Sequence, residues 1–234
     1  MLVALPPDSQ SQQGDIMINI KRGQAGFTLV EIAIVLVIIG LLLGGVLKGQ
    51  TMVANAKVKA LAGNFNGVTT MLNGYQDKFR AIPGDDPAAV AHGNTTQATA
   101  ATAGNGVIDT GTWVGVAAIV ATNESAVFWE HVRIAGLASG LSTSGVATNA
   151  TGGALGITSN PLHVTRPAGV AGTYTTCAGG VDGTLAQQLD IALDDGVGTT
   201  GSMFGAVDSG TPLVAATAVA AYAAGSLYSV CYAF

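Results

Sequence analysis

Hydrophobic and polar positions divide this chain into a solid apolar block, a periodic stretch and a long, weakly patterned remainder. From Phe27 to Leu47, a run of 21 residues, Glu31 is the only ionisable side chain. About 20 apolar residues carry a helix across a bilayer core, so 27–47 predicts a membrane-spanning helix. Gly40 and Gly44, like Gly45 and Gly49, are small residues four apart, a spacing that lets helices approach closely. Beyond it, Met52, Ala56, Leu61, Phe65, Val68, Leu72, Tyr75 and Phe79 recur at spacings of mostly three and four. That predicts one amphipathic face on a continuing helix over 48–81. Gly63, Gly67 and Gly74 weaken it by up to ~1 kcal/mol each. Ile82-Pro83-Gly84-Asp85-Asp86-Pro87 stops it, with two prolines and a turn glycine. At 1.5 Å per residue, Phe27 to Arg80 would reach about 80 Å.

The remainder, 82–234, reads as a globular head. Residues 88–112 are rich in Thr, Ala, Gly and Asn and read as loop. Within them, Asn105-Gly106-Val107-Ile108-Asp109 looks like a fragment of a calcium loop without its acidic spacing. Glu124 to Leu137 predicts a short helix with Phe128, Trp129, Val132 and Ala135 inward and His131 at the surface or as a cap. Glycine and threonine dominate Gly136 to Gly180, predicting short strands and long loops, with 139–160 mobile. Leu185 to Leu193 reads as a strand running into the turn Asp194-Asp195-Gly196. Val214 to Ala224 is apolar and alanine-rich without a clear period. Leu227 to Phe234 alternates and predicts a last strand. The expected class is α+β: a long N-terminal helix packed on a C-terminal head with a small antiparallel sheet and long loops.

Charge narrows the partners. Net charge is −5, and only 10% of residues are charged, against ~25% in ordinary globular domains. Nine basic residues in all leave no basic surface for nucleic acid. A neutral, hydroxyl-rich surface suits packing against copies of itself. Cys177 and Cys231 are the only cysteines. In a domain on the oxidising side of a membrane they favour one disulfide, worth ~4 kcal/mol for a loop of this length in the chain-entropy model.

The apolar block follows a basic leader, and the junction is specific. Lys21-Arg22-Gly23-Gln24-Ala25-Gly26-Phe27-Thr28-Leu29-Val30-Glu31 and the run behind it resemble the type IV pilin and type II secretion pseudopilin family. The resemblance implies that a prepilin peptidase removes 1–26 by cutting after Gly26, and that the new N-terminus, Phe27, is methylated. It implies that Glu31 pairs with the free amine of a neighbouring subunit's Phe27 during assembly. The physics agrees. A helix dipole favours a carboxylate in the first turn by only ~0.3–1 kcal/mol, against ~2.5–3.5 kcal/mol for an acidic residue at mid-membrane. A buried carboxylate therefore gains from finding a cation. The resemblance also implies a long helix with its second half on the head, and a C-terminal disulfide loop. The Phe79-Arg80-Ala81-Ile82-Pro83-Gly84-Asp85 stretch looks like the family's post-helix turn. One departure stands out: many pilins have proline where this chain has Lys48, although Gly44, Gly45 and Gly49 could loosen the same region.

The competing readings are a plain anchor with a tolerated glutamate, or a signal peptide. Ala54-Asn55-Ala56 is an A-x-A site, but the apolar run exceeds the 7–15 residues of a typical h-region and contains Glu31. Met17 would give a compact leader and is a second candidate start. Lys21 and Arg22 before the span and Lys48, Lys57 and Lys59 after it leave the positive-inside count undecided. The cysteine pair and the resemblance put the C-terminal part outside the cytoplasm.

These features imply a structural subunit of a pilus-like filament, held in the bacterial inner membrane and then polymerised into an extracellular or periplasmic filament. Its partners would be copies of itself, the peptidase and the inner-membrane assembly machinery. A type II secretion pseudopilin and a minor pilin with a binding head are the alternatives. No G-x-S-x-G, H-E-x-x-H or phosphate loop is present, and His92, His131 and His163 are scattered, so no enzyme is indicated. Asp190, Asp194 and Asp195 offer oxygen ligands for Ca²⁺ in a glycine-containing loop, as some pseudopilins do, but lack EF-hand spacing; shaping a turn is the simpler role. Asn94, Asn123 and Asn149 head glycan-acceptor tripeptides.

Overall fold

The computed structural model describes residues 26–99, 102–114, 119–160, 165–208 and 218–234. The leader residues Lys21 and Arg22, the candidate start Met17, His163 and residues 214–217 lie outside them. The chain divides into two compact units, up to Leu47 and from Lys48 onward.

Helix α1 runs unbroken through Leu29–Phe79, so the glycines near Lys48 do not interrupt it. In the first unit its residues are exposed and apolar. It is the one described helix long and apolar enough to cross a membrane. In the second unit α1 buries Val58, Leu61, Phe65, Val68, Leu72 and Tyr75. Met52 and Ala56, expected on that face, are exposed, so the buried stripe begins later than the periodicity suggests. The helix ends where Arg80 takes a left-handed backbone (φ 57), a conformation more often met by glycine at a helix C-terminus. Gly84 then turns the chain with φ 93, and a Cβ there would meet the Glu124 carbonyl oxygen at 2.6 Å.

Helix α2, Glu124–Ile134, is capped by Asn123, whose side-chain oxygen accepts from the Ala126 N–H at 2.9 Å. Five strands follow: β1 Ala147–Thr148, β2 Ala154–Thr158, β3 Thr175–Asp182, β4 Met203–Val207 and β5 Leu227–Ala233. They form one antiparallel sheet in the order β1-β2-β3-β5-β4. β1 and β2 are short strands of the kind expected between Gly136 and Gly180, and they fall inside 139–160, where mobility was expected. Helix α3, Gly183–Leu193, lies between β3 and β4 in sequence. It corrects the strand expected over 185–193. Asp182 caps it by accepting from the Thr184 N–H at 2.9 Å, and Ala186, Leu189 and Asp190 are buried at helical spacing. The described part of the alanine-rich stretch, 218–224, has neither helix nor strand.

Strand alternation sorts the core onto two faces. On one, Ala178, Met203 and Val230 meet Leu61, Phe65, Val68 and Leu72 of α1, Phe128 and Val132 of α2, and Leu189 of α3. On the other, Trp113 packs with Cys177, Phe204, Cys231 and Ala233. The chain is thus α+β, with its helices on one side of the sheet. Cys177 and Cys231 are directly opposed on β3 and β5 and form a disulfide.

Candidate functional site

The N-terminal junction is built by four residues. Gly26 and Phe27 precede the helix, and both are exposed. Thr28 occupies the cap position. Its N–H and its hydroxyl both donate to Glu31 Oε2 at 2.8 Å, and the Glu31 N–H donates to Thr28 Oγ1 at 3.2 Å. This reciprocal arrangement is a capping box, in which two otherwise unpaired backbone donors at a helix start are satisfied. Reading Glu31 only as a charge in an apolar run missed Thr28. The signal was present as T-x-x-E directly before the apolar block.

Asp190, Asp194 and Asp195 come together, with one carboxylate oxygen from each within 4.8 Å of the others. The loop already uses them. Asp190 accepts from the Gly196 N–H at 3.0 Å and the Tyr222 hydroxyl at 2.9 Å. Asp194 Oδ2 accepts from the N–H groups of Ser202 and Met203. Asp195 accepts from the Val197 N–H and the Thr200 hydroxyl. Burial raises the Asp190 carboxyl above its ordinary value, helped by the charges of Asp195 and Asp194 and opposed by the Tyr222 and Gly196 bonds. These donors fit carboxylates that shape a turn better than a ready-made ion cage.

His131 is fully buried, which corrects its expected place at the surface. Its Nδ1 accepts from the Gly84 N–H at 3.0 Å, so Nε2 donates to the Thr96 carbonyl at 2.9 Å. The imidazole therefore ties the post-helix turn and the following loop to α2. Burial lowers its pKa, against the Thr96 bond and the charges of Glu130 and Asp86. His92 is paired with Asp86 at 2.6 Å. Asp86 also accepts from Tyr75 Oη at 2.7 Å and the Ala88 N–H at 2.8 Å. Its carboxyl sits below its usual range: burial pushes it up, but the His92 and Tyr75 bonds outweigh that. Asp85 accepts from the N–H groups of Gly104, Asn105 and Gly106. In the sequence this acidic pair appears only within the helix-stopping stretch, with no role of its own.

The acceptor asparagines are structural. Asn94 donates to Tyr75 Oη at 2.9 Å, Asn123 caps α2, and Asn149 donates to the Ala154 and Gly179 carbonyls. All three are buried.

Compared with known proteins, residues 21–47 match the family described as the prokaryotic N-terminal methylation motif. No curated protein matches the chain, and no solved structure does. The matched segment contains the Gly26–Phe27 junction, the Thr28–Glu31 box and the exposed apolar half of α1, the same residues on which the resemblance to the type IV pilin and pseudopilin family rests.

Proposed function

We propose that this chain is a structural subunit of a type IV pilus-like filament, cut after Gly26, methylated at Phe27 and polymerised through α1. The observation that carries this reading is the methylation motif seated on a helix whose residues from Leu29 to Leu47 are all exposed. An apolar surface of that extent is stable only against lipid or against other apolar surfaces. Lipid serves the stored subunit in the inner membrane, and neighbouring copies of the same helix serve the filament.

Processing supplies what assembly needs. Cleavage behind Gly26 exposes the Phe27 amine, a cation at the end of an apolar rod. Glu31 is the only carboxylate in that rod. An ammonium from one subunit and a carboxylate from the next neutralise each other in a medium where neither is tolerated alone. The Gly26–Phe27 bond lies in exposed, non-helical chain, open to a peptidase.

The test is the mass of the purified mature protein. We expect a chain beginning at Phe27 and carrying one methyl group, and Gly26→Leu should accumulate uncut precursor. A native N-terminus at any other residue, or an unchanged mature mass in Gly26→Leu, would refute the proposal.

A further inference from the structure

Lys48, Lys57 and Lys59 are the only charged side chains between Glu31 and Asp77, and all three are exposed. Residues 60–234 hold four basic and eleven acidic side chains, a net charge of −7. Twelve residues at the end of the apolar run therefore carry +3 in a chain that is otherwise acidic. Among the described residues, the one ion pair is His92–Asp86, so none of these lysines has an acidic partner. Lys48 directly follows Leu47, the last residue of the apolar run. From Lys48 to Lys59 the helix rises about 17 Å; at about 100° per residue, Lys57 stands opposite Lys48 and Lys59 returns to its side. The three charges thus make a collar around α1. Cα–Cβ bonds tilt toward a helix N-terminus, so Lys57 and Lys59 leave the helix in the direction of Lys48. Between the lysines, Met52 and Val53 are exposed at 64% and 57%, which gives the uncharged span 49–56 apolar side chains for a bilayer interface.

We infer that Lys48, Lys57 and Lys59 select anionic phospholipid, of the phosphatidylglycerol type, around the membrane-stored subunit. This rests on the storage in lipid proposed above. The headgroup zone adds roughly 5–8 Å on each side of a hydrocarbon core, and the field of an anionic surface extends a Debye length of ~8 Å further. Lys48 falls within that zone, and Lys57 and Lys59 stand at the reach of the field. The cut after Gly26 would remove Lys21 and Arg22, leaving the collar as the basic flank of the mature apolar run. The acidic head of a second copy is the weaker occupant, because its carboxylates are largely engaged within their own chain. Asp85 accepts from the Asn105 and Gly106 N–H groups, Asp86 is held by Tyr75 and His92, Glu130 accepts from the Thr95 and Thr96 N–H groups, and Asp194 and Asp195 accept from loop N–H groups.

The experiment uses the full chain reconstituted in phosphatidylcholine bilayers with trace spin-labelled phosphatidylglycerol or spin-labelled phosphatidylcholine. Electron paramagnetic resonance reads the fraction of each label immobilised at the protein. Phosphatidylglycerol should be preferred about fivefold, the equivalent of roughly one well-placed lysine at an anionic surface, and high salt should weaken the preference by screening. The triple variant Lys48→Gln, Lys57→Gln, Lys59→Gln should lose most of it, whereas Lys78→Gln, the same charge change outside the collar, should keep it. Label immobilised without preference overturns the collar and leaves the storage in lipid standing; no immobilised label of either kind overturns both. A preference that survives the triple variant, or is lost in Lys21→Gln/Arg22→Gln instead, overturns the collar as well. If the triple variant keeps the preference and yields no filaments from cells, the lysines serve a contact between copies.

Discussion

Buried polar side chains in this head act as ties between segments far apart in sequence. His131 shows the pattern: one ring nitrogen holds Gly84 and the other holds Thr96. Both bonds need the neutral ring, because Nδ1 must accept. Burial sets its folded pKa below the ordinary 6.5. As pH falls beneath about 6.5, the unfolded chain takes up this proton before the folded chain does. The contribution of His131 is therefore whole above that value and shrinks below it. Asp85, Glu124 and Asp190 shift the other way, raised by burial, and they gain stability as pH drops, so the His131 effect has to be read as a difference. His131→Gln should be less stable than the parent at pH 7.5, by ~1–3 kcal/mol for groups left unsatisfied. That gap should narrow toward pH 5. Urea midpoints of both proteins at three pH values measure it, and a gap that stays constant would show that the ring does not titrate on unfolding.

At the level of elements, α1 divides by what its side chains meet. Phe65 is buried against the sheet side of the head and stacks with Tyr232. Leu36, in the first unit, is exposed. Phe65→Ala should destabilise the head by roughly 3–5 kcal/mol, the range for deleting a core aromatic. Leu36→Ala should leave head unfolding unchanged, since it empties no cavity there. Near-UV circular dichroism during denaturant unfolding distinguishes them, and equal effects would contradict this division. Much of α1 was legible because its signals are local: a solid apolar run, a three-and-four period and a proline stop. α2 was legible for the same reason, with its Phe128, Trp129 and Val132 stripe. α3 was misread as a strand because Leu185, Leu189 and Ile191 are apolar over a short window, where period two and period 3.6 overlap. The cap at Asp182 was the overlooked cue. The order β1-β2-β3-β5-β4 was not legible at all. Its strands are short and rich in glycine, alanine and threonine, and their partners are set by long-range packing. The cysteine pair was legible as a disulfide, but its place directly across β3 and β5 was not. The N-terminal junction was legible as a motif, while the His131 ties to Gly84 and Thr96 were hidden because their members belong to different segments.

For the whole molecule, the capping box changes what Glu31 has to do. In the isolated subunit the carboxylate already holds the Thr28 N–H and hydroxyl. In the proposed assembly, storage in lipid is therefore eased by its own neighbour, and an incoming ammonium would meet a carboxylate that is already positioned. The observed cap and the proposed charge pair would share one side chain, and they come apart under substitution. Glu31→Gln keeps acceptors for the Thr28 donors but cannot pair with an amine by charge. Thr28→Val removes the hydroxyl and keeps the charge, at a cost of ~0.5–2 kcal/mol in helix capping. If the filament depends on the ion pair, Glu31→Gln and Glu31→Ala should both reach the membrane fraction in normal amount and yield no sheared filaments, a loss in line with the ~3–5 kcal/mol cost of breaking a buried pair. Thr28→Val should still polymerise, with a yield lowered by no more than about tenfold. The opposite pattern, filaments from Glu31→Gln and none from Thr28→Val, would assign the role of this carboxylate to the shape of the helix start and leave the charge without a function in assembly.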